Sequence, residues 1–526
     1  MMRRRYAAAL ALTIAMTSLA GCGSGESADS DQITFQEEEA EADTADDATE
    51  EEAEAEEGQT YESTEADSHA VIADGEAITL KNANVNKSGD SEGNDEADFY
   101  GTNAAVFATN GGSIDIEDSV ITTAGSHANA VFSYGEGSTI NISNSEIDTT
   151  ANNSGGIMVT GGGTLNAENV EIITKGGSSA AIRSDRGGGT MTVDGGSYKS
   201  YGSGSPAIYS TADITVSNAE LYSDISQAVV VEGKNSVTLN DVDATGQNTK
   251  KNSDNSDRYQ AVMIYQSMSG DASQGKGSFT MNGGSLTSLN EGMFYVTNTV
   301  ADINLDGVTL NYASDDLLRI ETAGWGNEGS NGGQVNFYNV EQSLEGVITV
   351  DDISVLNMYL DNGSSFKGSV TGEGQIYVEL TNGSTWELTA DTAITSLTCD
   401  ADSIKLNGYK LTVDGQDYEE GTTMTGEAIE ITVSEGEGMG EGMPGDGNEP
   451  PQMGDGNEPP EMGDGQAPEG MGDGQTPPDK PDGDSSDGGQ GGPDDGQGGP
   501  GGGQGGPDGG QGGPGGDGQT PPDKPE

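Results

Sequence analysis

One repeated position constrains this chain more than any other feature. After a short apolar-x-apolar run and one further residue comes a site filled only by Asn, Asp or Gly, followed by a second short apolar run. The copies read Ile78-Thr-Leu80-Lys-Asn82, Ile114-Asp-Ile116-Glu-Asp118, Ile140-Asn-Ile142-Ser-Asn144, Leu165-Asn-Ala167-Glu-Asn169, Met191-Thr-Val193-Asp-Gly195 and Ile214-Thr-Val216-Ser-Asn218. Residues 237–241, 279–283, 303–307 and 335–339 continue the series, mostly about two dozen residues apart. Asn, Asp and Gly enter the left-handed backbone region at least cost, so the position is a tight corner. Alternation on both sides of it marks strands that bury one face.

A third strand precedes each corner: Ala105-Val106-Phe107, Ala130-Val131-Phe132, Gly156-Ile157-Met158, Ala181-Ile182-Arg183, Ala207-Ile208-Tyr209, Ala228-Val229-Val230, Ala261-Val262-Met263, Gly292-Met293-Phe294 and Gly346-Val347-Ile348. Three short strands make one coil. A coil cannot bury its apolar face alone, so coils stack and pair their strands in parallel. The expected fold class is all-β, a parallel solenoid.

This pattern resembles the right-handed parallel β-helix of the pectate-lyase-like superfamily, where an Asn ladder marks the same kind of corner. The resemblance spans residues 61–433. Its closing part, Asn382-Gly-Ser-Thr-Trp386-Glu-Leu388 and then Leu406-Asn-Gly-Tyr409-Lys-Leu411-Thr-Val413, is similar to the late passenger coils of autotransporter adhesins. It implies the fold strongly and any single activity weakly.

Around that domain the composition changes. Residues 1–21 carry a basic head, Arg3-Arg4-Arg5, then a short apolar stretch, and read as a secretion signal too short to span a membrane. Leu19-Ala20-Gly21-Cys22 resembles a bacterial lipobox, which implies lipidation at Cys22 and a protein anchored outside the cytoplasm, at the bacterial cell surface. Residues 22–60 are rich in Glu, Asp, Ala and Thr and read as an acidic, disordered tether; residues 434–526, built of Gly, Pro and Asp, read as a low-complexity tail. Apart from Cys22 there is only Cys399, so no disulfide framework forms, and the alternation around Cys399 predicts a buried thiol.

The chain has 20 Lys and Arg against 90 Asp and Glu, a formal net charge of −70. That field repels nucleic acid and anionic lipid and leaves cations, cationic partners or neutral sugars as ligands.

Catalytic signals are sparse. There are two histidines, His69 and His127, neither in a motif of the related hydrolases or lyases. Arg183, Asp185 and Arg186 form the nearest constellation, with Arg319 and Glu321 several coils away. No second acidic cluster is evident on the adjoining coils, and an exposed Arg beside an Asp is usually a weak surface ion pair. No metal site is assigned; Asp115, Glu117, Asn141 and Asn166 offer oxygens that suit calcium, but no spacing forms a calcium loop.

More telling is the outward column of the upstream strand. Alternation places Phe107, Phe132, Met158, Arg183, Tyr209, Val230, Met263, Phe294, Arg319 and Ile348 on its solvent side. Two arrangements account for it. Either the column is a ligand-binding face whose rings stack on sugars, or the segments 87–103 and 246–260 fold over it and make a second small core. The first makes the protein a non-catalytic, adhesin-like binder of a polysaccharide or host glycan. Its alternatives are a polysaccharide lyase or hydrolase using Arg183, Asp185 and Arg186, and an envelope spacer.

Overall fold

The computed structural model describes residues 58–436 apart from 92, 93, 252 and 254. The signal at 1–21, Cys22, the acidic segment up to residue 57 and the tail beyond 436 lie outside the described residues. Within them the chain is a parallel β-helix.

Strands follow one another from Thr60–Ser63 to Gln416–Asp417. They fall into a narrow sheet of 14 strands, a broad sheet of 21 and a small one of 3. Each coil contributes one strand to the narrow sheet, as in Val131–Tyr134. As far as Thr309–Asn311 it then contributes two to the broad sheet, as in Thr139–Ser143 and Glu146–Thr149. In these two large sheets every strand pairs in parallel with its counterpart one coil away: Val131 faces Val106 and Ile157, and Ile140 faces Ile114 and Leu165.

The corner sits between the two broad-sheet strands. Asn82, Asp118, Asn144, Asn169, Asn218 and Asp241 have φ between 48° and 54°, and Gly195, Gly283 and Gly307 lie at 71°, 67° and 61°. In two coils the strand runs on through the bend, as Gly163–Thr174 and Gly189–Ser200, yet the pairing passes from Glu168↔Asp194 to Val170↔Gly196 and skips the corner residues.

The tenth corner differs from expectation. Asn339 lies inside the strand Gln334–Val340, buried, its Nδ2 donating to the carbonyls of Phe337 and Tyr359 at 3.1 and 3.2 Å. Glu341 takes the left-handed position at φ 50°. The reason is a change of coil: from here the chain passes directly from Gln334–Val340 to the narrow-sheet strand Ser343–Val350, with no second broad-sheet strand.

Ladder hydrogen bonds measure the coils. The offset between partners is 26 residues from Asp115 to Asn141 and 25 from Asn141 to Asn166. It grows to 36, 42 and 34 at Asn110, Asn282 and Asn336, and shrinks to 21 at Asn357 and Asn382. The long coils hold the insertions, and these bear on the functional site.

Ile, Val and Leu fill the interior, with Ile114, Ile140, Leu165, Met191 and Ile214 stacked one above another. Full burial of such a side chain contributes about 1.5–3 kcal/mol. Where the second broad-sheet strand turns towards the narrow sheet, serines replace apolar residues: the backbone N–H groups of Ala128, Ser154 and Ser179 donate to the hydroxyls of Ser154, Ser179 and Ser205 in turn. This hydroxyl ladder satisfies amides that the bend takes out of the sheet.

At the far end, Thr392–Ile394, Leu411–Val413 and Gln416–Asp417 form the three-stranded sheet. Cys399 is buried beside it, facing Met424 across an isolated bridge. The chain then returns along the outer side of the broad sheet. Ile429 exchanges hydrogen bonds with the Asn357 amide, Thr432 donates to Gln334, and Gly436 forms an antiparallel bridge with Gln274.

Candidate functional site

Register fixes the outward column of the narrow sheet. Ile72, Phe107, Phe132, Met158, Arg183, Tyr209, Val230, Met263, Tyr295, Arg319 and Thr349 lie in one line across successive strands. Two positions correct the sequence alignment. Phe294 pairs with Val262 and Leu318 and points into the main core, and Ile348 pairs with Leu318 and does the same. Gly292 is opposite Gln260 rather than Ala261, and a slip of one residue turns every side chain to the other face.

Most of the column is not open. Phe107, Phe132 and Met158 form a buried cluster with Ala104, against which Tyr134 packs. The segment that carries helix α1 (Asn94–Tyr100) lies over them. Gly101, at φ 75°, passes so close that a Cβ there would stand 2.6 Å from the Phe107 ring and 3.2 Å from Phe132. His69 stacks on Phe107 with centroids 4.6 Å apart, His127 Nδ1 meets Asp98 at 2.9 Å, and Thr160 donates to the Phe99 carbonyl at 2.7 Å. Further along, Val230, Met263, Tyr265, Tyr295 and Trp325 make a second buried cluster. The open aromatic face is therefore replaced by two small cores, as in the second of the arrangements posed by the sequence. The 321–333 segment that brings Trp325 had no place in that reading.

Between the two cores lies a group of charged side chains. Arg183 pairs with Asp185 at 3.0 Å, their side chains 12 and 6 % exposed. Arg186 reaches Asp271 at 2.6 Å and lies 3.7 Å above the Phe99 ring. Glu232, fully buried, accepts hydrogen bonds from the hydroxyls of Tyr209, Tyr265 and Ser267 and from the Ser267 amide. Glu232 thus ties the segment 266–275 to the sheet, and Arg186 ties the same segment to α1.

Burial pushes the Asp185 carboxyl up to about 7; Arg183 pulls it down, and Asp271 and Glu232 push it further up. Burial also raises Glu232, against the pull of its three hydroxyl donors. Tyr209 and Tyr265 are raised by burial and by the Glu232 charge, so both remain protonated donors.

Arg183, Asp185 and Arg186 are thus brought together, and the sequence reading missed Asp271 and Glu232. Glu232 was within reach of alternation, since it follows outward Val230 by two residues, the same step that separates Asp185 from Arg183. Asp271 sits in an insertion and carried no signal. Arg319 lies apart, paired with Asp316 and Glu321. Of the calcium candidates, Asn141 donates to Asp115, Asn166 to Asn141, and Glu117 pairs with Lys81. Among the described residues no group of three or more His, Cys, Asp or Glu is disposed around a common metal position.

A cleft opens on the other side of the two tyrosines. Tyr209, Met263, Tyr265 and Trp325 line it together with Gln227, Asn248, Arg258 and Gln260, and its volume is about 30 Å³. Tyr265 and Trp325 meet edge to face at 5.0 Å. Three buried polar atoms of lining residues have no hydrogen-bond partner: Asn248 Oδ1, Gln260 Oε1 and Trp325 Nε1. Each such atom costs about 1–3 kcal/mol while unmatched, and all three belong to residues that line the cleft. Of the four insertions, 88–105, 247–259, 266–275 and 321–333, all of which leave the ends of narrow-sheet strands or lead into them, the second and the fourth supply residues to its lining.

No protein family, no curated protein and no solved structure matches this chain.

Proposed function

We propose that the protein is a lipid-anchored, surface-displayed solenoid that binds a polysaccharide or surface glycan without transforming it. The observation that carries this reading is the meeting of two insertions, 247–259 and 321–333, over one stretch of the narrow sheet, where residues of both line a cleft with Tyr209. In stacked-coil proteins insertions on one face commonly build the binding surface. Aromatic rings with amide groups beside them suit hydroxylated rings, and a strongly acidic chain favours a neutral or cationic ligand. The Leu19-Ala-Gly-Cys22 motif supports the anchor, and the corner pattern supports kinship with pectate-lyase-like β-helices.

The test is retention of the full chain on a panel of insoluble polysaccharides: cellulose, xylan, mannan, chitin and pectin. Binding to at least one, lost when Tyr209 and Trp325 are both changed to Ala, is the expected result. A flat response across the panel would remove the reading and leave the envelope spacer.

A lyase or hydrolase is the second reading, favoured by the proton that Asp185 holds near neutral pH beside Arg183. Against it, Asp185, Glu232 and Asp271 are absent from the cleft lining, and a general acid must reach the bond it cleaves. Release of unsaturated or reducing sugar ends that disappears in Arg183→Ala would establish it.

A further inference from the structure

We propose that the cleft at Trp325 takes the end of a glycan chain and rejects its interior. This deepens the binding reading above and rests on it.

The first ground is closure. A polymer lying along the stacked strands would have to pass over the outward column, and that path is blocked on both sides. Towards Phe132 it meets α1 and the Arg186 guanidinium stacked on Phe99. Towards Arg319 two insertions join hands across the sheet: the Gly324 amide donates to the Asn255 carbonyl at 2.7 Å, and Arg258 pairs with Glu321 at 2.5 Å. Asn331 holds the second of them in shape by donating to the carbonyls of Ala323 and Trp325. Arg258 and Trp325, one from each insertion, also line the cleft, so this bridge borders it.

The second ground is chemistry. The unmatched atoms are one donor, the indole N–H of Trp325, and two acceptors, the amide oxygens of Asn248 and Gln260. All three residues are at most 5 % exposed. A hydroxyl both donates and accepts, so a hydroxyl-bearing group satisfies this set where a carboxylate would satisfy only the indole. The volume of about 30 Å³ is about twice the 10–15 Å³ that one water needs in the same measure, which admits a hydroxyl or hydroxymethyl group and leaves the sugar ring outside, against half-buried Tyr209. Within a chain, ring hydroxyls are flanked by further sugars on both sides; at an end, one side is free.

The chain has two tryptophans, Trp325 in the cleft and Trp386 in the core. Full-length protein labelled with 5-fluorotryptophan therefore gives two fluorine resonances, assigned with Trp386→Phe. The probes are xylan, mannan and β-glucan, each intact and after partial acid hydrolysis that multiplies chain ends about tenfold at constant mass. The expected result is a shift of the Trp325 resonance alone, with the half-saturating mass falling about tenfold on hydrolysis. Trp325→Phe, which keeps a ring and loses the donor, should weaken binding by up to about tenfold.

A half-saturating mass that hydrolysis leaves unchanged overturns the proposal. So does polysaccharide retention with a static Trp325 resonance, which would mean that ordered water alone fills the cleft; in both cases the binding reading survives. If no polysaccharide is retained at all, the binding reading falls, and the inference with it.

Discussion

Asp185 is a carboxyl group whose fold works against its charge. Burial raises it to about 7 from an ordinary value near 3.8, so between those values the folded protein holds a proton that the unfolded chain releases. Stability from this group is complete below about pH 3.8 and is lost as pH rises through about 7, at about 1.4 kcal/mol per pH unit at most. The melting temperature should therefore fall between pH 5 and pH 8, and Asp185→Asn should flatten that fall. A wild-type slope that persists in the variant would assign it to general acidic repulsion instead. At this scale the sequence was most legible where backbone chemistry is selective: only Asn, Asp and Gly at the corners, and φ positive at nine of the ten positions named. The exception, Asn339, is an Asn used for its amide hydrogen bonds, and residue type alone does not separate the two uses.

Alternation predicts elements well only while the register is right. It placed Phe107, Phe132 and Met158 on the outward side correctly, then lost one residue at Gly292 and turned Phe294 the wrong way. What covers an outward residue is set by insertions that have no period, which is why neither α1 nor the Trp325 segment could be placed from sequence. A Trp within Ala323-Gly-Trp325-Gly, in a chain with so few aromatics, was the available signal. The cover on the first core is testable. Phe132, fully buried beneath α1, should cost about 3–5 kcal/mol when changed to Ala. Amide exchange should accelerate in 94–104 before it does in the broad sheet. Uniform acceleration across the coils would mean that this small core and the main one unfold as a single unit.

For the whole molecule, stacked coils make stability a matter of nearest neighbours. The anchor is the other large-scale claim. Cys22→Ser should abolish incorporation of labelled palmitate and move the protein from the membrane fraction to the medium. Labelling that survives the substitution would place the lipid elsewhere. The returning segment after the last coils settles one more matter of layout. Because Gly436 is bridged to Gln274, the described chain ends beside the strand Lys276–Asn282 and not at the three-stranded sheet. A donor dye at Gly436 and an acceptor on Lys276 would therefore transfer energy efficiently, whereas the same donor on Tyr409 would report from several coils away.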